Sequence, residues 1–289
     1  MDDASRIERF LAHALDGVNG PGAAPGLSAA VHHAVFPGGA RIRPRLCIAV
    51  ARACGAGQSA GALAAAGAIE MLHCASLVHD DLPCFDDATT RRGQPAVHRK
   101  FGERLAVLAG DALIVLAFQT VTRERGCPAD RRLALLGTLA AAAGMPRGIV
   151  AGQAWECEEG VALSEYQREK TGALFAAATV AGALAAGADP APWQTVGDCI
   201  GEAYQVADDI RDVTGDAHEL GKPTGRDAAL DRPNAVRRMG LPAARARLQQ
   251  LVAESLAAIP ACPGSEELHH AFRAVMAPLL APAIARPAA

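Results

Sequence analysis

The sequence predicts an all-α protein, one large bundle of roughly ten or more helices occupying residues 1–289 as a single domain. Three observations predict it. Apolar residues recur mostly at helical spacing, alanine is abundant, and β-branched runs of period two are missing. With 289 residues, 51% of them hydrophobic, the chain can bury a large core and is not disordered. Helix breakers divide it in order. Residues 20–26 and 36–39 read as loops, the second leading into a helix from about Arg43 with Pro44 in its first turn. Further breaks at 55–61, 88–95, 126–130, 144–148, 188–192, 214–233 and 260–264 leave helices between them. No composition shift marks a domain boundary, no repeat is visible, and the one biased segment is the Pro/Ala tail after Met276.

Charge and cysteine usage exclude several classes. With 28 basic and 31 acidic residues the formal charge is −3, and the basic residues form no block, so nucleic acid is excluded as a partner. The eight cysteines stand singly, without CxxC pairs or zinc spacing, and read as reduced structural thiols. The acidic start of the chain lacks the order of a signal peptide, so a cytoplasmic location is expected. The longest uncharged stretch, 172–188, approaches the ~18–20 residues of a membrane span, but it is mostly Ala and Gly. A buried core helix, not an integral membrane protein, is the expectation.

Two carboxylate clusters carry the chemistry. Asp80-Asp81-Leu82-Pro83-Cys84-Phe85-Asp86-Asp87 closes an apolar helical run over 63–78, and Asp208-Asp209-Ile210-Arg211-Asp212 lies about 125 residues later. In the second, Gln205, Asp208, Asp209 and Asp212 stand at i, i+3, i+4 and i+7, which predicts one helix face. Like charges so spaced repel, so the arrangement calls for a cation. Oxygen donors without His or Cys in the motif imply a hard ion, and paired carboxylates with room for waters and phosphate suit Mg²⁺.

Candidate anion ligands are Arg41 and Arg43, Arg91 and Arg92, Lys170 and Lys222. Only Lys100, Lys170 and Lys222 are lysines; every other basic position is arginine. Two of these three fall in loop or helix-start settings where a compact ammonium would meet a phosphate oxygen.

These residues resemble the trans-isoprenyl diphosphate synthases, or polyprenyl synthetase family, through motifs in the family's order. They are GGARIRP (38–44), DDLPCFD (80–86), RRG (91–93), GQ (152–153), KT (170–171), YQVADDIRD (204–212) and GKPTGRD (221–227). The four-residue gap between Asp81 and Asp86 resembles the bacterial farnesyl and geranylgeranyl diphosphate synthases. The resemblance implies an isoprenoid-synthase bundle around a central cleft, usually a homodimer. It implies Asp80, Asp86 and Asp208 as direct ligands of three Mg²⁺ ions, with Asp81, Asp209 and Asp212 completing the acidic walls. It places the allylic diphosphate on Arg91, Lys170 and Lys222, and isopentenyl diphosphate on Arg43, His73 and Arg92. Thr171 and Gln205 are implied to lie, with Lys170, near the developing allylic cation. His73 stands seven residues before Asp80, on the same helical face.

The implied reaction ionises the allylic diphosphate, adds the isopentenyl double bond to the cation, and loses a proton to give a product five carbons longer. It needs a dry apolar cleft. Chain length is read along the helix before Asp80. Ala75 and Ser76 lie about one turn (~5.4 Å) below the metal site and are small, with Met71 and Leu72 the next candidates deeper. Ala75 resembles the geranylgeranyl makers, so a C20 product is expected, with C15 the alternative. Three departures stand out: Ala40 replaces the usual lysine of Gly-Gly-Lys-Arg, Tyr204 a common phenylalanine, and Arg226 a common lysine. Arg41 or a nearby arginine is the expected compensation at position 40. Two rival readings are a class I terpene cyclase, disfavoured by the missing second cyclase motif and by 4% aromatic content, and a non-catalytic regulatory subunit, disfavoured by intact aspartates.

Overall fold

The computed structural model describes residues 2–36, 38–158, 163–214 and 234–284. The chain opens with α1 (Asp3–Asp16), N-capped by the Asp2 carboxylate accepting from the Ser5 amide, and buries Ile7, Leu11 and Leu15 at spacings of four. Helix α2 (Pro25–Val35) starts on a proline, one residue before the end of the loop expected there. Then come α3 (Ile42–Ala53) and α4 (Ala60–Asp80), the latter capped by Ser59. A short connection through α5 (Val97–Phe101) leads to α6 (Glu103–Arg123) and α7 (Ala129–Ala143).

After α8 (Ile149–Ala154) and α9 (Leu163–Gln167), a π-helical turn (Arg168–Gly172) runs into α10 (Ala173–Ala186). Helix α11 (Ala191–Thr214) precedes 215–233, and α12 (Ala235–Met239), α13 (Leu241–Ala257) and α14 (Ser265–Ile284) complete the described chain.

Helices α4 and α10 form the centre. Helix α4 packs on α3, α6 and α10, and α10 packs on α3, α7 and α11. The uncharged stretch expected as a core helix is α10, with apolar residues on every side and burial on nearly all of them, as such a helix requires. Helix α4 is long and apolar enough to cross a membrane, yet most of it is buried inside the protein. Helix α6 passes the same test and differs: it buries Ala106, Ala109, Gly110, Leu113, Ala117 and Val121 along one stripe but leaves Leu108 and Val115 about half exposed. All eight cysteines are free thiols, as expected, and burial pushes the Cys47 thiol up to about 12.

One element departs from the all-α expectation. Thr90–Arg91 and Gln94–Pro95 pair as a two-stranded antiparallel hairpin, Thr90 opposite Pro95 and Arg91 opposite Gln94. Its two turn residues, Arg92 and Gly93, both have positive φ, 53° and 73°, the pattern of a type I′ turn. Strands of two residues carry no readable alternation, but the glycine of Arg-Arg-Gly has a physical cause: it takes the left-handed position that closes the turn.

Candidate active site

The C-terminal end of α4, the N-terminal end of α3, the Arg91–Arg92 hairpin, the π turn and α11 enclose one cavity of about 1240 Å³. Of the six sequence-predicted aspartates, Asp80, Asp86, Asp208 and Asp212 line it, and so does Gln205. Asp81 and Asp209 do not, which corrects the placement of both in the acidic walls; the four α11 residues do share one face, with Asp209 at its edge under Gln205.

The reason is angular. Each residue turns the helix by about 100°, so neighbouring aspartates cannot point the same way. Asp81 is 2% exposed and pairs with Arg91, whose Nε donates to Oδ1 at 2.9 Å and whose Nη2 closes the pair. Burial opposes the Arg91 charge, but the Asp81 hydrogen bonds and charge outweigh it and raise the Arg91 pKa. Asp81 thus anchors a cation that itself reaches the cavity, with Nη2 3.9 Å from Asp80. Asp209, 1% exposed, accepts from Gln205 Nε2 at 2.8 Å, Gln167 Nε2 at 3.1 Å and the Ala235 amide at 2.7 Å. Gln205 in turn accepts the Thr171 hydroxyl at 2.7 Å, so Asp209 fixes which end of the amide faces Thr171.

The π turn presents Lys170 and Thr171 to the cavity side by side. It can lie there because a Cβ on Gly152 would stand 2.2 Å from the Lys170 amide nitrogen. The glycine of the GQ motif is therefore required by close backbone approach. Lys170 Nζ lies 3.1 Å from Asp80 Oδ1.

Cations line the same cavity. Arg43 is buried, its guanidinium 4.2 Å over the Phe175 ring and 5.6 Å from that of Tyr204, and it lines the cavity. Among the described residues its Nε finds no partner, an orphaned donor where an anion would be held. Burial, with Arg43 and Arg92 nearby, holds the His73 imidazole well below its ordinary pKa, so His73 is neutral at pH 7. Arg92 also lines the cavity.

Ala40 lines the cavity as well; of the arginines expected to compensate, Arg41 is committed to partners of its own, and Arg92 lies against the neighbouring Gly39. The Arg41 guanidinium is 3% exposed and donates to Glu70 Oε1 at 2.6 Å, Glu8 Oε1 at 2.7 Å and the Val35 carbonyl at 2.9 Å. Burial would lower its pKa, but Glu8 and Glu70 raise it instead. Arg41 is a structural cation that ties α1 to α4. Lys222 and the rest of GKPTGRD, Arg226 included, lie outside the described residues.

Below the charged mouth the cavity is apolar. Leu72, Ala75 and Ser76 line it, as expected, but Met71 does not: about 100° round from Leu72, it is fully buried in the core. The opposite wall was missed by sequence reasoning. Val107, Asp111, Ile114 and Phe118 line it from α6, at i, i+4, i+7 and i+11, a helical stripe that could have revealed them. His79 contacts the Val107 carbonyl at 3.2 Å, and Gly61 at the start of α4 lies beside Cys127 after α6, so the two helices run antiparallel. These two pairings set Phe118 opposite α4 residues 68–70, up to about one turn below Leu72, and both side chains line the deeper part of the slot.

The donor set fits a hard divalent cation held jointly by protein and substrate. Among the described residues no three carboxylates, imidazoles or thiols converge on one point, yet the four aspartates of the two motifs that line the cavity share it with the unpartnered Nε of Arg43. One or two carboxylates per ion, completed by phosphate oxygens and water, is the habit of Mg²⁺.

The polyprenyl synthetase family matches residues 24–264. The chain belongs to the polyprenyl synthetase family. Among its relatives in that family, a geranylgeranyl diphosphate synthase of Cereibacter sphaeroides is 52% identical over 268 residues, 93% of each chain. A farnesyl diphosphate synthase of Geobacillus stearothermophilus is 39% identical over 84% of each chain. Among solved structures, a geranyltransferase from Helicobacter pylori complexed with magnesium and isoprenyl diphosphate superposes with a TM-score of 0.82 at 32% identity, covering 96% of this chain and 95% of that one. The isoprenoid-synthase bundle expected from the polyprenyl synthetase motifs is the fold observed.

Proposed function

We propose that the protein is a Mg²⁺-dependent trans-prenyltransferase that condenses isopentenyl diphosphate with allylic diphosphates and releases geranylgeranyl diphosphate. The observation that carries this reading is one cavity that brings Asp80, Asp86, Asp208 and Asp212 together with Arg43, Arg91, Arg92 and Lys170 above an apolar slot. The 52% identity to a geranylgeranyl diphosphate synthase supports the C20 product.

Asp80, Asp86, Asp208 and Asp212 hold the metal, three ions per site, and when bound Mg²⁺ neutralises the departing diphosphate. Arg91, Lys170 and Lys222 bind the allylic diphosphate, and Arg43, His73 and Arg92 bind isopentenyl diphosphate. Neutral His73 donates an N–H without adding a charge to the arginine cluster. Thr171 and Gln205, locked by Asp209, turn oxygen dipoles toward the allylic carbon as positive charge grows there. No protein nucleophile is needed: the allylic C–O bond breaks with its electrons to diphosphate, the isopentenyl π bond forms the new C–C bond, and the released diphosphate takes the proton from the carbon beside the resulting cation, whose C–H electrons form the new double bond. The apolar slot under the mouth, walled by Leu72, Ala75, Ile114 and Phe118, keeps water from the cation.

The protein acts as a cytoplasmic homodimer. The half-exposed apolar residues of α6, with Leu133 and Met145 at and beyond α7, support a second copy as the partner of that face. Incubation with Mg²⁺, labelled isopentenyl diphosphate and farnesyl diphosphate tests the reading: a C20 diphosphate is expected, and either no elongation or a cyclised product refutes it.

A further inference from the structure

A carboxylate just behind the cleft, Glu156, has no part in the mechanism above. Glu156 sits in a 3-10 turn directly after α8, with its side chain 9% exposed. Its Oε1 accepts Lys170 Nζ at 2.5 Å and the Tyr166 hydroxyl at 2.5 Å. Its Oε2 accepts Gln153 Nε2 at 2.9 Å, and the same amide nitrogen reaches Asp80 Oδ1 at 3.1 Å. Lys170 Nζ lies 3.1 Å from that same Asp80 oxygen. The ammonium is thus suspended between a carboxylate of the acidic wall and one behind it.

The chemistry of lysine makes this placement consequential. A lysine head is a compact charge on a flexible stem, and fixing it costs rotamer freedom. Drawn to Asp80 alone, it would compete with cations for that carboxylate. A second buried carboxylate draws it aside and orders it before any ligand arrives, and Tyr166 and Gln153 in turn fix the carboxylate.

We propose that Glu156 is a positioning residue, holding the Lys170 ammonium at the edge of Asp80 in the place where it meets an oxygen of the allylic diphosphate. This rests on the reading of Lys170 as a diphosphate ligand. Glu156 acts on the allylic side only, since its hydrogen bonds run to Lys170, Tyr166 and Gln153 and none runs to Arg43, His73 or Arg92.

Binding of inorganic diphosphate in Mg²⁺, measured by calorimetry on the full-length protein, reads the lysine anchor without turnover. Glu156→Gln preserves size and removes the charge. It is expected to weaken diphosphate binding about tenfold, the scale of one charge-assisted hydrogen bond, with Glu156→Asp recovering part of the loss. Lys170→Ala weakens binding too, and the double variant binds no more weakly than Lys170→Ala alone. In the extension assay Glu156→Gln raises KM for the allylic substrate about tenfold and leaves that for isopentenyl diphosphate within about twofold. Wild-type affinity in Glu156→Gln, losses that multiply in the double variant, or equal rises in both KM values would overturn the proposal. A wild type that shows this coupling without elongating refutes prenyl transfer and leaves the Glu156 assignment standing; an elongating wild type matched by Glu156→Gln does the reverse.

Discussion

Ala75→Phe is expected to convert a C20 producer into a C15 producer. Ala75 lies five residues before Asp80 on α4, ~7.5 Å down the helix axis, and Leu72 lies ~4.5 Å deeper, about the reach of one five-carbon unit. Because α6 runs antiparallel to α4, Phe118 lies up to about one turn below Leu72, so the interval between Ala75 and these two side chains accommodates the last isoprene unit. A benzyl group at position 75 fills that interval. Forcing a prenyl chain past it costs about 1–3 kcal/mol of overpacking, as in a protein core. At ~1.4 kcal/mol per factor of ten, extension of farnesyl diphosphate falls roughly ten- to hundredfold, while extension of shorter acceptors, which end above the obstruction, keeps its rate. The assay supplies dimethylallyl, geranyl or farnesyl diphosphate with labelled isopentenyl diphosphate and resolves the dephosphorylated products by length. A variant that still accumulates C20 in the wild-type proportion refutes the floor.

The remaining predictions use the same structure. Phe118→Ala, which opens the floor from the α6 side, lengthens the product distribution beyond C20 in that assay. Ala40→Lys adds an ammonium to a stretch of cavity wall whose neighbouring guanidinium, Arg41, is already held by Glu8, Glu70 and the Val35 carbonyl, and it lowers KM for isopentenyl diphosphate by about tenfold, the value of one charge-assisted contact. Glu70→Ala strands the buried Arg41 guanidinium with only Glu8 and the Val35 carbonyl as partners and costs about 3 kcal/mol, read from urea midpoints at pH 7. His73 has a folded pKa below its unfolded value of about 6.5, so the unfolded chain binds the extra proton and stability falls as pH drops below ~6.5. His73→Asn flattens that fall by up to about 1.4 kcal/mol per pH unit between pH 6.5 and 5, in urea unfolding of the ligand-free protein.

The sequence by itself determined the helical class, the breakpoints and the two acidic motifs, because periodicity, glycine and proline are local properties of a chain. His73 could be placed with Asp80 for the same reason: seven residues is two helical turns, and no fold can separate two positions so spaced on an unbroken helix. Which aspartate of each pair faces the cavity was not legible. Adjacent residues diverge by about 100°, and only the surrounding packing decides which of the two meets the cleft. Tertiary structure put Asp81 under Arg91 and Asp209 under Gln205, turning two expected metal carboxylates into anchors for the residues that face the substrate.

It also decided what distance along the chain conceals. Arg41 reads as a ligand beside Arg43, but α1 and α4 bring Glu8 and Glu70 to it and consume its charge. Phe118 reads as one apolar residue of a core helix, until antiparallel packing sets it at the end of the slot that begins at Asp80. Glu156 has no motif to mark it, and its meaning comes from a lysine fourteen residues on, carried back to it by a π turn. Local sequence fixes which side chains a helix carries; which neighbours neutralise, orient or enclose them depends on contacts between segments far apart in the chain, and those exist only once it is folded.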